Sequence, residues 1–552
     1  MKASPPPNQA VKGIGIGTRK VAGPLHFYKS QAVPRPTASE GCDPHAQTLR
    51  LKSALEQARE QIGMLHRRAL AEVGQTEAQI FEIHAMLLED EELTLAMEDA
   101  LHEGASAEQA VERAARETSE ALLALGDPYL SARAADVKDV ADRILLNLSG
   151  SHKDPAAPSP DTPYILVARD LTPSQTMSLE KDHILGFVTL EGTPNSHTSI
   201  LARAMGIPAL VGVGQLDEGY EGSLALLDAA QGTLILAPNE QTLAEFRRLV
   251  ERENEIAREH DRYLRTLLNK PAVTRSGKRI LIYANVGDEA EAETAMVNGA
   301  DGIGLLRSEF LYLSRDRYPT EEELVAAYDA ILSKMQGKRT VIRTLDIGAD
   351  KRIAYFDLPE EVNPALGFRA VRLCLAREAL FKTQLRAILR ASAKGTISVM
   401  LPMIVSVEEV RRCRDLLEEC KEELSREQIP FDSKIEFGIM VETPAAALMS
   451  RELAEEVDFF SVGTNDLTQY TLAIDRQNPK VAPLGERNAE PVLRLVELAA
   501  NAIHARGGWI GVCGEMAADL RLTQRLLDMG VDELSVSPPY LLGVREKVTE
   551  CK

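Results

Sequence analysis

Beyond residue 271 an apolar, strand-like run followed by a helical pattern recurs eight times, and few folds accommodate that arrangement. The runs cover 280–286, 302–306, 340–347, 397–404, 435–441, 458–462, 509–513 and 533–536. Eight strand-and-helix units in about 280 residues match the size and count of a (β/α)8 TIM barrel, which gathers its working residues at the C-terminal strand ends. No true sequence repeat underlies the pattern. Read in order, the strand ends are Asn285, Arg307, Arg343 with Asp346, Met403, Glu442, Asn465 with Asp466, Cys513 with Glu515, and Ser537.

Those ends suit an anion and a metal. Arg307 and Arg343, with Arg369, Arg476 and Lys351 from nearby loops, offer bidentate and point-charge contacts to a phosphate and a carboxylate. Glu442 and Asp466 are hard oxygen ligands of the kind that hold Mg2+ while substrate phosphate completes the octahedron. The competing reading makes each arginine a solvated charge and each acid a surface group; their joint placement at strand ends argues against it. Cys513 is either an inert buried thiol or, from its strand-end position, a working one.

Upstream, residues 48–149 are rich in Ala, Leu, Glu, Gln and Arg, with Pro128 the one proline, as in a helical bundle. In 78–95, Ile80, Ile83, His84, Leu87 and Leu88 fall at helical spacing and leave acidic residues for solvent. Sheet-like pieces lie on both sides, at 11–25, 164–168, 184–190 and 224–228. A helical domain inserted into an α/β domain explains the order. A charged, glycine-free helical stretch at 242–268 then reads as a connector, stopped at Asn269-Lys270-Pro271. The expected multidomain α/β organisation is therefore an α/β domain from 1–34 and 150–240, an inserted helical bundle at 35–149, a connecting helix at 241–271 and the barrel at 272–552.

A second candidate site is Glu191-Gly192-Thr193-Pro194-Asn195-Ser196-His197-Thr198-Ser199-Ile200, a turn entering a short helix that Gly206 and Pro208 end. His197 stands at that helix start, where unpaired N–H groups and the hydroxyls of Ser196, Thr198 and Ser199 form a cradle for phosphate on an imidazole. Neutral histidine is nucleophilic enough to take a phosphoryl group from an activated donor; an ordinary capping or core histidine is the other reading. Gly13-Ile14-Gly15-Ile16-Gly17 lacks the full dinucleotide spacing and a preceding strand, and no P-loop occurs, so nucleotide has no evident seat.

With 552 residues the chain divides into three or four compact units. Its net charge of −20 argues against nucleic acid or an anionic membrane as partner and favours basic proteins. The six cysteines show no CxxC spacing, so reduced thiols are expected. No signal or membrane-length apolar run is present, which predicts a cytoplasmic protein.

The stretches at 196–212, 302–313, 343–351, 363–372, 438–446, 461–476 and 512–517, among them GIGLLRSEFLYL, GIMVETPAA and SVGTNDLTQYTLAIDR, resemble the Enzyme I branch of the phosphoenolpyruvate-utilising enzyme family. IFEIHAMLLED (81–91) and RAADVKDVADRIL (133–145) resemble its carrier-binding domain. The resemblance implies a phosphoenolpyruvate-protein phosphotransferase in which His197 is phosphorylated, with Thr172 as a hydrogen-bonding neighbour. It implies that Arg307, Arg343, Lys351, Arg369, Asn465, Asp466 and Arg476 bind phosphoenolpyruvate, that Glu442 and Asp466 hold Mg2+, and that Cys513 protonates the enolate to give pyruvate. The phosphoryl group then passes to the histidine phosphocarrier protein HPr, the first step of sugar uptake by the phosphotransferase system. A homodimer through the barrel is also implied, as is an α/β domain that swings between barrel and carrier on the 242–268 lever. Where relatives have Gly-Gly-Arg-Thr before Ser-His, this chain has Gly192-Thr193-Pro194-Asn195, and Asn195 with Ser196 and the backbone is expected to hold the phosphate. The alternatives are a dikinase-like enzyme, which needs an ATP domain that this sequence does not contain, and a non-catalytic phosphoenolpyruvate sensor.

Overall fold

The computed structural model describes residues 6–28, 43–72, 75–124, 128–150, 162–179, 183–193, 196–313, 315–348, 354–359, 361–476, 478 and 481–552. Two compact units divide the chain, Met1–Ile256 and Ala257–Lys552. The division falls within the charged helix Glu240–Arg265, the element expected at 242–268.

In the first unit eight strands form one sheet in the order Gln9–Lys12, Thr233–Leu236, Leu224–Asp228, Lys20–Phe27, Tyr164–Ala168, Ile184–Thr189, Ala209–Val211, Ile14–Ile16. Lys20–Phe27 and Tyr164–Ala168 pair in parallel although the whole helical region separates them in sequence, so the helices are an insertion into one parallel crossover. Ala209–Val211 and Thr233–Leu236 are strands that sequence patterning misses, being too short to show a period. A strand, Gln9–Lys12, does precede the glycine run at 13–17, contrary to expectation, yet the run serves backbone packing: a Cβ on Gly15 would collide with the carbonyl of Ala229, and that closeness needs glycine.

The insertion holds helices Pro44–Glu72, Gln75–Leu88, Glu91–His102, Ala107–Ala124 and Pro128–Leu148. Their shared core is rich in alanine, including Ala54, Ala58, Ala107, Ala110 and Ala114, and it takes in Met177 and Leu201 from the α/β part. Small residues at the contacts let the helix axes approach closely. The helical spacing read over 78–95 is shared between two helices. Asp90, with extended backbone, accepts from the N–H of Leu93 at 3.0 Å and starts the second one, as an N-cap does.

In the second unit eight parallel strands close on themselves: Arg279–Val286, Gly302–Arg307, Thr340–Arg343, Ile397–Leu401, Glu436–Val441, Phe459–Gly463, Trp509–Cys513 and Glu533–Val536, the last pairing back to the first. The chain thus has an α/β domain with an inserted helical bundle, a connecting helix and a C-terminal TIM barrel. The run at 340–347 gives a strand only as far as Arg343, because the N–H of Leu345 turns to the side chain of Gln384 at 2.9 Å. Inside the barrel, Gly438 leaves room for the ring of Phe459, which stacks on Trp509 with centroids 4.4 Å apart. Outside, helices are capped as their sequences dictate: Ser406 and Glu409 form a capping box for Val407–Arg426, and Thr320 and Glu323 another for Glu321–Met335.

Candidate active site

Arg307 and Arg343 end adjacent strands in register. Arg343 is almost fully buried, a position that a guanidinium tolerates only when paired. Its Nη2 donates to Glu309 Oε1 at 2.7 Å and its Nη1 lies 3.1 Å from Asp346 Oδ2. Asp346 Oδ1 accepts from Arg369 Nη2 at 2.8 Å. One carboxylate therefore locks two guanidiniums, while Arg307 lies half-buried over the ring of Phe310 and 3.8 Å from Glu291. Burial alone would lower the pKa of Arg343, but Glu309, Asp346, Glu442 and Asp466 reverse this and hold its proton more tightly than usual. Sequence reading left Asp346 without a role and passed over Glu309; the available signal was an acid two residues past a strand-end arginine in an apolar stretch.

Glu442 is fully buried, and its Oε1 accepts from the N–H of Met403 at 2.6 Å. Burial, then the charges of Asp466 and Asp346, push its pKa up against the opposing pull of Arg343. Asp466 lies in the first turn of helix Thr464–Leu472. Two non-glycine residues at this mouth, Ala370 (φ 54) and Met403 (φ 57), occupy the left-handed region, a strain that surrounding structure must sustain. Among the described residues no group of three His, Cys, Asp or Glu forms a metal site by itself. Two mutually repelling carboxylates fit instead a hard cation that completes its shell with water and substrate oxygens.

Cys513 ends its strand beside Gly463. Its thiol donates to the carbonyl of Val462 at 3.4 Å and receives the hydroxyl of Ser461 at 3.7 Å. Burial pushes the thiol pKa up to about 12, with Glu442 and Glu533 adding to the effect against the Ser461 contact. A thiol that keeps its proton at neutral pH is equipped to donate one. Asn465 Oδ1 accepts from the N–H of Glu515 at 3.0 Å, just past Gly514 (φ 97). Arg476 is exposed, its backbone N–H bonded to Gln469 at 3.3 Å. The barrel mouth thus unites Arg343, Asp346, Arg369, Glu442 and Asp466, with Arg307, Asn465 and Cys513 at neighbouring strand ends. Lys351 lies outside the described residues.

In the first unit His197 is the first residue of helix His197–Ala204, and Ser196 is its N-cap, accepting from the N–H of Ser199 at 3.4 Å. The expected cradle of three hydroxyls narrows to Ser196. Thr198 is buried and donates to Leu171 O at 2.9 Å, and Ser199 is buried and donates to Thr193 O at 2.7 Å. Thr172 caps helix Pro173–Ser178 in a box with Gln175 and donates to Asp139 of the inserted bundle at 2.9 Å. Asn195 lies outside the described residues.

Comparison with known proteins matches the chain to three models of one family: the PEP-utilising enzyme N-terminal domain at 9–133, its mobile domain at 160–232 and its PEP-binding domain at 261–552. The phosphoenolpyruvate-protein phosphotransferase of Listeria monocytogenes is 40% identical over 92% of this chain and 89% of its own length. That of Haemophilus influenzae is 43% identical over 89% and 85%. An NMR structure of an Enzyme I protein, 31% identical, covers 44% of this chain and 99% of its own with a TM-score of 0.37. Since the PEP-binding model alone spans more than half the chain and the relatives align with nearly all of it, the chain belongs to the phosphoenolpyruvate-utilising enzyme family.

Proposed function

We propose that this chain is a phosphoenolpyruvate-protein phosphotransferase that moves the phosphoryl group of phosphoenolpyruvate to its own His197 and then to the histidine phosphocarrier protein, opening the phosphotransferase route of sugar uptake. The observation that carries the reading is the barrel mouth, where buried, pre-paired arginines, two acids and a protonated thiol sit at the ends of neighbouring strands. The names of the relatives support it.

Arg343 and Arg369, fixed by Asp346 and Glu309, grip phosphate and carboxylate without reorganising, which is where electrostatic catalysis gains most. Arg307, Arg476, Asn465 and Lys351 complete the hold on the anion. Glu442 and Asp466 would hold Mg2+, which would neutralise charge on the transferring phosphoryl group. Attack by an imidazole nitrogen of His197 forms the P–N bond as the enol P–O bond breaks. The enolate takes its proton at carbon from the Cys513 thiol, giving pyruvate and a thiolate. Thr172, Asn195 and Ser196 border the phosphorylated imidazole.

Among the described residues no helix is long and apolar enough to cross a membrane; we place the protein in the cytoplasm, acting as a homodimer through its barrel. The test is stoichiometric. With phosphoenolpyruvate and Mg2+ alone the protein should release one pyruvate per chain and stop, and the phosphocarrier should restore continuous release. Binding without any pyruvate would favour the sensor reading, and continuous release without carrier would show that water, not a carrier, accepts the group.

A further inference from the structure

The proposed chemistry leaves Cys513 as a thiolate after every turnover, and a thiol held up to about 12 inside a barrel needs a proton source of its own. One buried acid in the barrel has no part in the site at the mouth. Glu533 begins the strand Glu533–Val536, is 1% exposed, and neither carboxyl oxygen has a hydrogen-bond partner among the described residues. Leaving a buried carboxyl unsatisfied is costly, so the fold bears a penalty to keep it.

The barrel also makes room for it. Gly511 faces Glu533 on the adjacent strand, and a Cβ there would strike Glu533 Oε2. Gly304 belongs to a strand that has no hydrogen-bonded pairing with Glu533–Val536, yet a Cβ on it would meet both Glu533 Oε1 and Ser535 Oγ within 2.5 Å. Only a side chain pointing into the barrel reaches that far. Glu533 Oε1 and Ser535 Oγ therefore crowd one point inside the barrel. Ser535 is the register partner of Cys513, is fully buried, and donates its hydroxyl to Asn285 Oδ1 at 2.7 Å. The carboxyl therefore lies two residues below the hydroxyl on one strand, and the thiol stands level with the hydroxyl on the adjacent strand, at the mouth end.

We propose that Glu533 is the proton reservoir of the active site and returns a proton to Cys513 through Ser535. This rests on the role given to Cys513 above. After the thiol S–H bond breaks and its proton forms the C–H bond of pyruvate, the Ser535 hydroxyl turns to the thiolate and delivers its proton. It takes the carboxyl proton of Glu533 in the same step. The thiol and the hydroxyl are restored, Glu533 is left as carboxylate, and water supplies the replacement proton between turnovers. Burial keeps Glu533 protonated when the cycle starts, raising it to about 8 against the pull of Arg339, with Asp532 adding to the rise. Tyr283 shares the interior and is raised by burial first, then by Glu533.

Glu533→Gln keeps shape and hydrogen-bonding capacity but cannot supply an acid proton. With saturating phosphocarrier, rapid-mixing measurement of pyruvate should show a first turnover at the wild-type rate and later turnovers slowed by roughly 100-fold, with the KM for phosphoenolpyruvate unchanged. Ser535→Ala should give the same burst and slow phase, and serves if the glutamine variant does not fold. Later turnovers as fast as the first in either folded variant would overturn the relay. A first turnover slowed as much as the rest would also overturn it, since that marks a structural role. If wild type itself yields no pyruvate, the phosphotransfer reading has failed; if wild type behaves as proposed and both variants match it, only the relay has.

Discussion

Asp346 divides its two oxygens between Arg343 and Arg369, at 3.1 and 2.8 Å, and all three side chains are nearly fully buried. Removing its charge leaves two guanidiniums inside the barrel without their shared counterion. Asp346→Asn should lower the unfolding free energy by about 3 kcal/mol, measured by urea denaturation, and raise the KM for phosphoenolpyruvate about tenfold or more as both arginines lose their fixed directions. A wild-type KM would mean that the arginines hold position without it. At this scale the sequence shows which residue types stand at strand ends, because a charge closing an apolar run is visible as text. It does not show which charges pair with each other. Glu309 and Asp346 look like any other acids until the fold brings them to Arg343, and the hydroxyls of Thr198 and Ser199 look free until the fold hands them Leu171 and Thr193 as acceptors.

Helix Pro128–Leu148 carries Asp136, Asp139 and Asp142 along one side. The first two reach His84, at 3.5 and 3.8 Å from its ring nitrogens, and Asp139 also binds Thr172. Among the described residues Asp142 has no such partner set. Burial raises it to about 6 from 3.8, Lys138 opposes the rise, and Asp139 and Glu112 add to it. Below about pH 4 the folded and unfolded chains both hold this proton and nothing is lost. Between about pH 4 and 6 the unfolded chain ionises first, so stability falls as pH rises, and the loss is complete above that window. Asp142→Asn should therefore stabilise the chain at pH 7 by about 1–2 kcal/mol, allowing for its partial contact with water. Thermal unfolding at pH 4 and pH 7 would test this, the gain vanishing at the lower pH; an equal gain at both would assign it to packing. Element boundaries were legible to within a few residues wherever a run was long, as in Arg279–Val286 and Glu436–Val441. They were not where a single side chain decides, as at Asp90, which restarts a helix inside an unbroken apolar period.

For the whole molecule, the order of parts follows from the run of patterns: an interrupted sheet, the helices that interrupt it, a charged helix and a closed barrel. The barrel was legible because its strands are buried on both faces and read as continuous apolar runs. Its interior was not, because Gly304, Gly511 and Glu533 are isolated letters whose convergence exists only across the closed barrel. The global charge of −20 repels an anionic donor, which makes the cationic groups of the mouth the decisive attraction. Everything proposed here requires that the group taken from the donor at the barrel come to rest on one side chain, His197. The direct measurement is incubation of wild type and His197→Ala with phosphate-labelled phosphoenolpyruvate and Mg2+, followed by acid and base treatment of the protein. The account predicts acid-labile, base-stable label on wild type alone; equal label on both proteins, or none on a wild type that binds phosphoenolpyruvate, would contradict it.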